Sequence, residues 1–288
     1  MASLRDIGFG LATAFGYGTA DYVAKRTADR VGFVETLWYL EMIGVPILVV
    51  LALLLEHVTA LPLDPLLLLV ALSAINVVAS FFLYRAFEFG TLSVVSPIAS
   101  AYPSLIVVLA VVVLHEPLSV FDVVGIGLTL AGVVLITQVT IGEASRAKDH
   151  RLGVLSAIVA FFGYGVFYFG LKLVVGPIPP ITSSAIVRVV SLVPVALIAF
   201  SRGALRLPRK GFALAAITIA TLDSLALVAY NLGLATGHSL AVLGTVSGLF
   251  SAVTVAWAVL LLKERLGWVQ WLGAAAIFAG IVTLAIGA

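Results

Sequence analysis

The two halves of the chain carry the same landmarks in the same order. Leu114-His115-Glu116-Pro117-Leu118, followed by Gly125 and Gly132, returns 148 residues later as Leu262-Lys263-Glu264-Arg265-Leu266, followed by Gly273 and Gly280. Upstream, Phe15-Gly16-Tyr17-Gly18 and Lys25 return 147 residues later as Phe162-Gly163-Tyr164-Gly165 and Lys172. A near-constant offset at widely separated landmarks indicates an internal duplication, so whatever the first half folds into the second must fold into as well.

Composition defines the duplicated unit. The 288 residues are 62% hydrophobic and 10% charged, with a mean hydropathy of +1.22, which leaves too few polar residues to cover a soluble globule. The chain therefore reads as an integral membrane protein, and duplication in such a chain points to a transporter of two structural repeats. A net charge of +2, with basic residues dispersed through short loops, leaves no case for nucleic acid. The chain has no cysteine, and its four histidines, His57, His115, His150 and His238, are scattered singly, so neither a metal site nor a cofactor is expected. The first apolar stretch begins at Ile7 behind Arg5 and lacks a clear small-residue cleavage site before Lys25. It reads as a retained helix rather than a cleaved signal peptide.

Charge clusters and Gly/Pro punctuation divide the apolar sequence into ten spans, at 6–24, 33–55, 65–87, 92–114, 119–137, 152–173, 181–200, 211–235, 239–262 and 267–287. Each is close to the roughly 20 residues that a hydrocarbon core requires. The longest polar interval separates a first repeat at 1–138 from a second at 152–288 through a linker at 139–151. Five spans is an odd number, so the second copy enters the membrane from the opposite side and the repeats are inverted. The expected fold is all-α, ten transmembrane helices arranged as two inverted five-helix repeats around a central cavity. The loops after spans 1, 3, 5, 7 and 9 hold 13 of the 16 Lys and Arg, whereas the other side holds Arg5 and Lys172, with Arg188 inside span 7. The positive-inside rule places the first group of loops in the cytoplasm and both termini outside it.

These landmarks resemble the drug/metabolite transporter superfamily in its ten-helix form with two EamA-type repeats, and the resemblance covers essentially the whole chain. The shared features are an aromatic-Gly pair in the first helix of each repeat (Tyr17-Gly18, Tyr164-Gly165), an apolar run ending in a loop glutamate (Glu116, Glu264) and a closing helix with spaced glycines. The resemblance implies a multi-pass protein of the bacterial cytoplasmic membrane that moves small metabolites, most like the family's amino-acid exporters. The four-helix multidrug relatives carry a proton-coupling glutamate in the middle of their first helix. This chain has Ala12-Thr13-Ala14-Phe15 in that region, so their coupling mechanism does not transfer.

Charges inside spans are the sharpest candidates for function, because a carboxylate or guanidinium near the bilayer centre is costly unless it faces protein or water. Glu41, Arg188 and Asp223 lie well inside. Glu41 and Arg188 sit 147 residues apart and precede Pro46 and Pro194 at related places in spans 2 and 7. They form either a substrate-facing group or a salt bridge that only tethers helices. An Arg188–Glu41 pair would leave Asp223 as the better proton carrier. Asp21, Arg85 and Glu88 lie near span ends and read as snorkelling side chains.

Spans 4 and 9 are unusually polar. Ser96-Pro97, Ser100 and Tyr102-Pro103-Ser104 interrupt the first, while Gly244-Thr245, Ser247-Gly248, Ser251 and Thr254 occupy the aligned stretch of the second. Irregular backbone in lipid is tolerated where it is buried or lines a cavity, so Pro97 is expected to mark a hinge there, with close helix packing as the alternative for the glycines. Tyr17, Trp38, Tyr102, Tyr164 and Tyr168 complete the expected cavity, each offering an apolar face and one hydrogen bond. With Glu41, Ser96, Pro97, Ser100, Arg188, Asp223, Thr245 and Ser247 they form the candidate substrate site. Trp268 and Trp271 read as interfacial residues. Glu116 and Glu264 each begin a helix and read as caps. The seven-residue spacing of Gly125/Gly132 and Gly273/Gly280 predicts tight packing of span 5 on span 10.

The reading is a secondary transporter that exports small neutral metabolites, amino acids with large or aromatic side chains among them, by alternating access. Proton-coupled efflux of organic cations is the alternative within transport. A membrane-embedded enzyme would need a recognisable catalytic motif, and the sequence has no Walker A loop, His-Glu-x-x-His or Gly-x-Ser-x-Gly. The expected partners are a small-molecule substrate and the lipid bilayer.

Overall fold

A computed structural model describes residues 4–57, 61–114, 119–136, 149–236, 240–263 and 266–287. In order, its helices are α1 (Leu4–Val31), α2 (Phe33–Leu55), α3 (Leu63–Phe89), α4 (Leu92–Ser100), α5 (Tyr102–Leu114), α6 (Val120–Ile136), α7 (His150–Val174), α8 (Pro180–Ser201), α9 (Ala213–Thr236), α10 (Leu240–Gly248), α11 (Phe250–Leu261) and α12 (Trp268–Gly287). These are the ten spans read from the sequence, with span 4 built from α4 and α5 and span 9 from α10 and α11. Helices α2, α3, α7, α8 and α9 are each long and apolar enough to cross a membrane unaided. The protein exposes large apolar side chains, with Leu53, Leu54, Phe200 and Leu214 70–77% exposed, and buries Glu41, Arg188 and many serines within a largely apolar core. That distribution suits a lipid-facing exterior.

The first span is longer than its sequence suggests. Helix α1 continues to Val31 through the charges that marked its expected end. Lys25 Nζ bonds Asp29 Oδ1 at 2.7 Å one turn on, and Arg30 lies in the last turn, where the helix dipole favours a cation. Asp21 is therefore well inside the helix, not near its end.

The broken spans break at corresponding places. Ala101 separates α4 from α5 and Leu249 separates α10 from α11, again 148 residues apart. At each, the helix tightens into i→i+3 bonds: Ala101 N donates to Ile98 O at 3.3 Å and Ser104 N to Ala101 O at 3.1 Å, while Leu249 N donates to Val246 O at 3.2 Å and Ala252 N to Leu249 O at 2.9 Å. Pro97 has Thr245 as its counterpart, so the second break forms without a proline. The helix breaks thus fall at Ala101 and Leu249 rather than at Pro97, and the hydroxyl of Ser100 bonds the Pro97 carbonyl at 3.1 Å.

The two repeats interdigitate. The most extensive helix contacts cross between them: span 5 on 10, 3 on 6, 1 on 8 and 2 on 7, while span 4 meets span 9 through α4 and α11. Missing side chains permit the closest of these approaches. A Cβ on Gly132 would lie 2.6 Å from the carbonyl oxygen of Gly273, and one on Gly280 would lie 2.6 Å from that of Gly125. This is the expected packing of span 5 against span 10, and the repeat offset exchanges the two contacts, Gly132 on Gly273 and Gly280 on Gly125, as pseudo-twofold symmetry requires. Likewise Gly16 meets Ala226 and Gly163 meets Ala79. Glu116, Glu264 and most of the linker lie outside the described residues.

Two carboxylates cap helices across the bundle. Glu88 Oε2 accepts from Phe33 N at 2.7 Å at the start of α2. Glu56, just beyond the end of α2, accepts from Ile181 N at 2.9 Å and from Thr182 N and Oγ1 at 2.7 Å, at the start of α8. The second cap ties the first repeat to the second.

Candidate functional site

A cavity of about 560 Å³ of free space, its open mouth included, lies where the repeats meet. Each wall follows from helical spacing. Tyr17 and Asp21 are one turn apart on α1; Asn76, Ser80, Leu83 and Tyr84 form a stripe on α3; Tyr164, Phe167 and Tyr168 form another on α7. Arg188 enters from α8, Asp223 and Leu227 from α9, and Leu40 from α2. Tyr102 and Phe250 are the first residues after the two helix breaks, so each break delivers an aromatic ring to the cavity wall.

The aromatic wall is a connected unit. Tyr102 stacks on Tyr168 with ring centroids 4.7 Å apart and planes at 20°, and Tyr168 meets Tyr230 edge-on at 4.8 Å. The Tyr168 hydroxyl donates to that of Tyr17 at 3.1 Å. The Ser80 and Tyr164 hydroxyls share a bond at 3.3 Å, and Tyr17 contacts Phe250 edge-on at 6.1 Å. Such rings give a rigid apolar surface edged with hydroxyls.

Arg188 holds the buried charges together. Its Nη1 donates to Glu41 Oε1 at 3.1 Å and its Nη2 to Asp223 Oδ1. Its Nε, with no partner among the described residues, lies 3.7 Å from where Gly44 would carry a Cβ, and Ser224 Oγ lies 3.1 Å from that same point. Because both carboxylates share one guanidinium, the pairing that was expected to free Asp223 does not distinguish it from Glu41.

Asp21 stands apart from this cluster. It is 6% exposed, lines the cavity, and its Oδ2 has no partner among the described residues. The neighbouring Thr254 hydroxyl is directed to the carbonyls of Gly18 at 3.3 Å and Phe250 at 3.0 Å. The snorkelling expectation for Asp21 is thus corrected, since α1 extends past it and turns its carboxylate inward.

Of the residues expected from sequence, Tyr17, Tyr102, Tyr164, Tyr168, Arg188 and Asp223 line the cavity, and Glu41 stands behind it on Arg188. Trp38 does not; its indole N–H bonds the Arg206 carbonyl at 3.0 Å, at the end of the bundle. Ser96, Pro97 and Ser100 are buried within α4 and Ser247 within α10, outside the cavity lining. The side chain of Thr245 lies outside the described part of the structure. Sequence reasoning missed Asn76, Ser80, Tyr84, Phe167, Leu227 and Phe250. The repeat offset could have found two of them, because Asn76 corresponds to Asp223 and Phe250 to Tyr102.

Ten spans in two inverted repeats, enclosing a polar cavity between them, define a membrane transporter of the two-repeat class. The EamA-like transporter family matches the chain twice, over residues 5–138 and 151–286. The chain belongs to this family, within the drug/metabolite transporter superfamily. No curated protein sequence matches it. Among solved structures, one described as "Crystal structure of protein" shares the fold with a TM-score of 0.69, over 96% of this chain and 95% of that one, at 17% identity.

Proposed function

We propose that the protein is a secondary transporter exporting small neutral metabolites, amino acids with large or aromatic side chains among them, across a bacterial cytoplasmic membrane by alternating access. The observation that carries this reading is the tyrosine-walled cavity, whose lining comes from both repeats. Rocking one repeat against the other would move its walls relative to each other and expose it to each side in turn. Stacked tyrosines with free edges suit a ligand that has an apolar body and a polar head.

The test is counterflow in liposomes containing the purified protein, preloaded with unlabelled compound and challenged with a labelled panel of amino acids, sugars and organic cations. Accelerated entry of large neutral amino acids supports the reading. Entry of permanently charged cations alone would favour the efflux alternative, and no entry of any compound would remove the transport reading.

A further inference from the structure

The cavity's charges do not balance. Three carboxylates, Asp21, Asp223 and Glu41, gather in or directly behind it. They face one guanidinium among the described lining residues, whose two terminal nitrogens are already bonded to Glu41 and Asp223 and whose Nε lies 3.7 Å from where Gly44 would carry a Cβ. Asp21 has no ion-pair partner among the described residues. A buried carboxylate oxygen without a donor is costly unless something supplies one. Around it stand Tyr17, Tyr84 and Tyr164, whose faces attract cations and whose hydroxyls accept hydrogen bonds. A cationic donor small enough to enter a tyrosine-walled cavity would satisfy that oxygen.

We infer that Asp21 selects the charge of the substrate: the cavity takes compounds that carry a protonated amine, with the ammonium held by the Asp21 carboxylate inside the tyrosine box. A carboxylate on the substrate is not required, because Arg188, the one cation among the described lining residues, is already matched by two acids. This inference rests on the transport reading above and names the group recognised, which admits monocationic amines beside neutral amino acids. The α-ammonium, rather than the α-carboxylate, is the recognised end of an amino acid, and the corresponding decarboxylated amine is accepted as well.

The experiment compares three compounds on one scaffold, phenylalanine, phenethylamine and 3-phenylpropionate, in counterflow with the purified full-length protein, and repeats the series with leucine, isoamylamine and isocaproate. The expected result is exchange of the amino acid and the amine on at least one scaffold, with the des-amino acid slower by about tenfold or more, the loss expected for a hydrogen bond to a charged group. Asp21→Asn, nearly identical in shape, should lower exchange of the amine by a similar factor while keeping its gel-filtration profile. If that variant fails to assemble, the wild-type series decides alone. Equal exchange of the des-amino acid and the amine overturns the inference and leaves the transport reading intact, as does full amine exchange by a folded Asp21→Asn. Exchange of amino acids but not of amines also overturns it, since a carboxylate would then be required. If none of these compounds exchanges, the inference fails; if the wider panel is also silent, the transport reading fails with it.

Discussion

Glu41 and Arg188 occupy corresponding positions in the two repeats, 147 residues apart, and bond each other across the pseudo-twofold axis at 3.1 Å. Duplication places two equivalent side chains face to face on that axis, where two like charges would repel. Opposite charges resolve the conflict, and they leave Arg188 able to recruit Asp223 as well. The pair is almost fully enclosed, with side chains 5% and 2% exposed, so removing Arg188 strands Glu41 and Asp223, whereas removing Glu41 leaves Arg188 paired with Asp223. Arg188→Gln should therefore destabilise the protein by about 3–5 kcal/mol, the range for leaving a buried charge without its partner, and Glu41→Gln by less. The double replacement should cost less than the sum of the two. Thermal unfolding of the detergent-purified variants measures this, and strictly additive losses would show that the two side chains do not act as a pair.

Pro97 should matter less than its position in span 4 suggests. The matching break at Leu249 forms opposite a threonine, and Ser100 already bonds the Pro97 carbonyl. Pro97→Ala should therefore keep the kink at Ala101 and change transport per folded molecule by less than about threefold, a barrier change well under 1 kcal/mol. Introducing bulk at the break itself should act more strongly, because Tyr102 and Phe250 enter the cavity from these two points. Counterflow rates of Pro97→Ala and Ala101→Leu, compared at equal folded yield, test the order; a larger loss for the proline variant reverses it.

The fold was legible in the sequence because its signals are additive over long stretches. Span lengths, odd repeat count and constant offset each depend on many residues, and Gly132 and Gly280 marked their own packing partners through their spacing. The site was legible only in part. Tyr17 and Tyr164 were found because they sit in the duplicated motif, whereas Asn76 is an uncharged residue in an apolar run and becomes noticeable only as the counterpart of Asp223. Asp21 was misread because charges at Lys25, Arg26 and Asp29 resemble the end of a helix. The i,i+4 pair of Lys25 with Asp29 instead lets α1 carry those charges onward. Trp38 was misassigned for the opposite reason: a lone aromatic in an apolar span has no sequence feature that tells a cavity wall from a helix end.

The orientation in the membrane can be read directly, because the chain has no native cysteine to confuse labelling. Single cysteines placed in the 139–151 linker and in the 202–210 loop, which together hold seven basic residues, should react with an impermeant maleimide only after the cytoplasmic face is exposed. One placed at His57, on the opposite side, should react in intact cells. Labelling of the linker from outside would invert the topology and with it the direction assigned to export.

Glu56 offers a separate handle on alternating access. It is a first-repeat residue whose carboxylate receives three bonds from the first turn of α8 in the second repeat. It thus combines a helix cap with a tie between the two repeats that the proposed mechanism would move against each other. Opening this end of the molecule by rocking one repeat on the other would have to stretch or break those bonds. The corresponding position in the second repeat is Gly203, which has no carboxylate to make the matching cap. Glu56→Ala should lower stability by about 1–2 kcal/mol through the lost cap and, beyond that, shift the resting population toward the state open on this side. A cysteine at Asn76 on the cavity wall, labelled from each side in turn, reports that shift: reactivity from the Glu56 side should rise relative to the other when Glu56 is replaced. An unchanged ratio together with the stability loss would leave Glu56 as a cap alone.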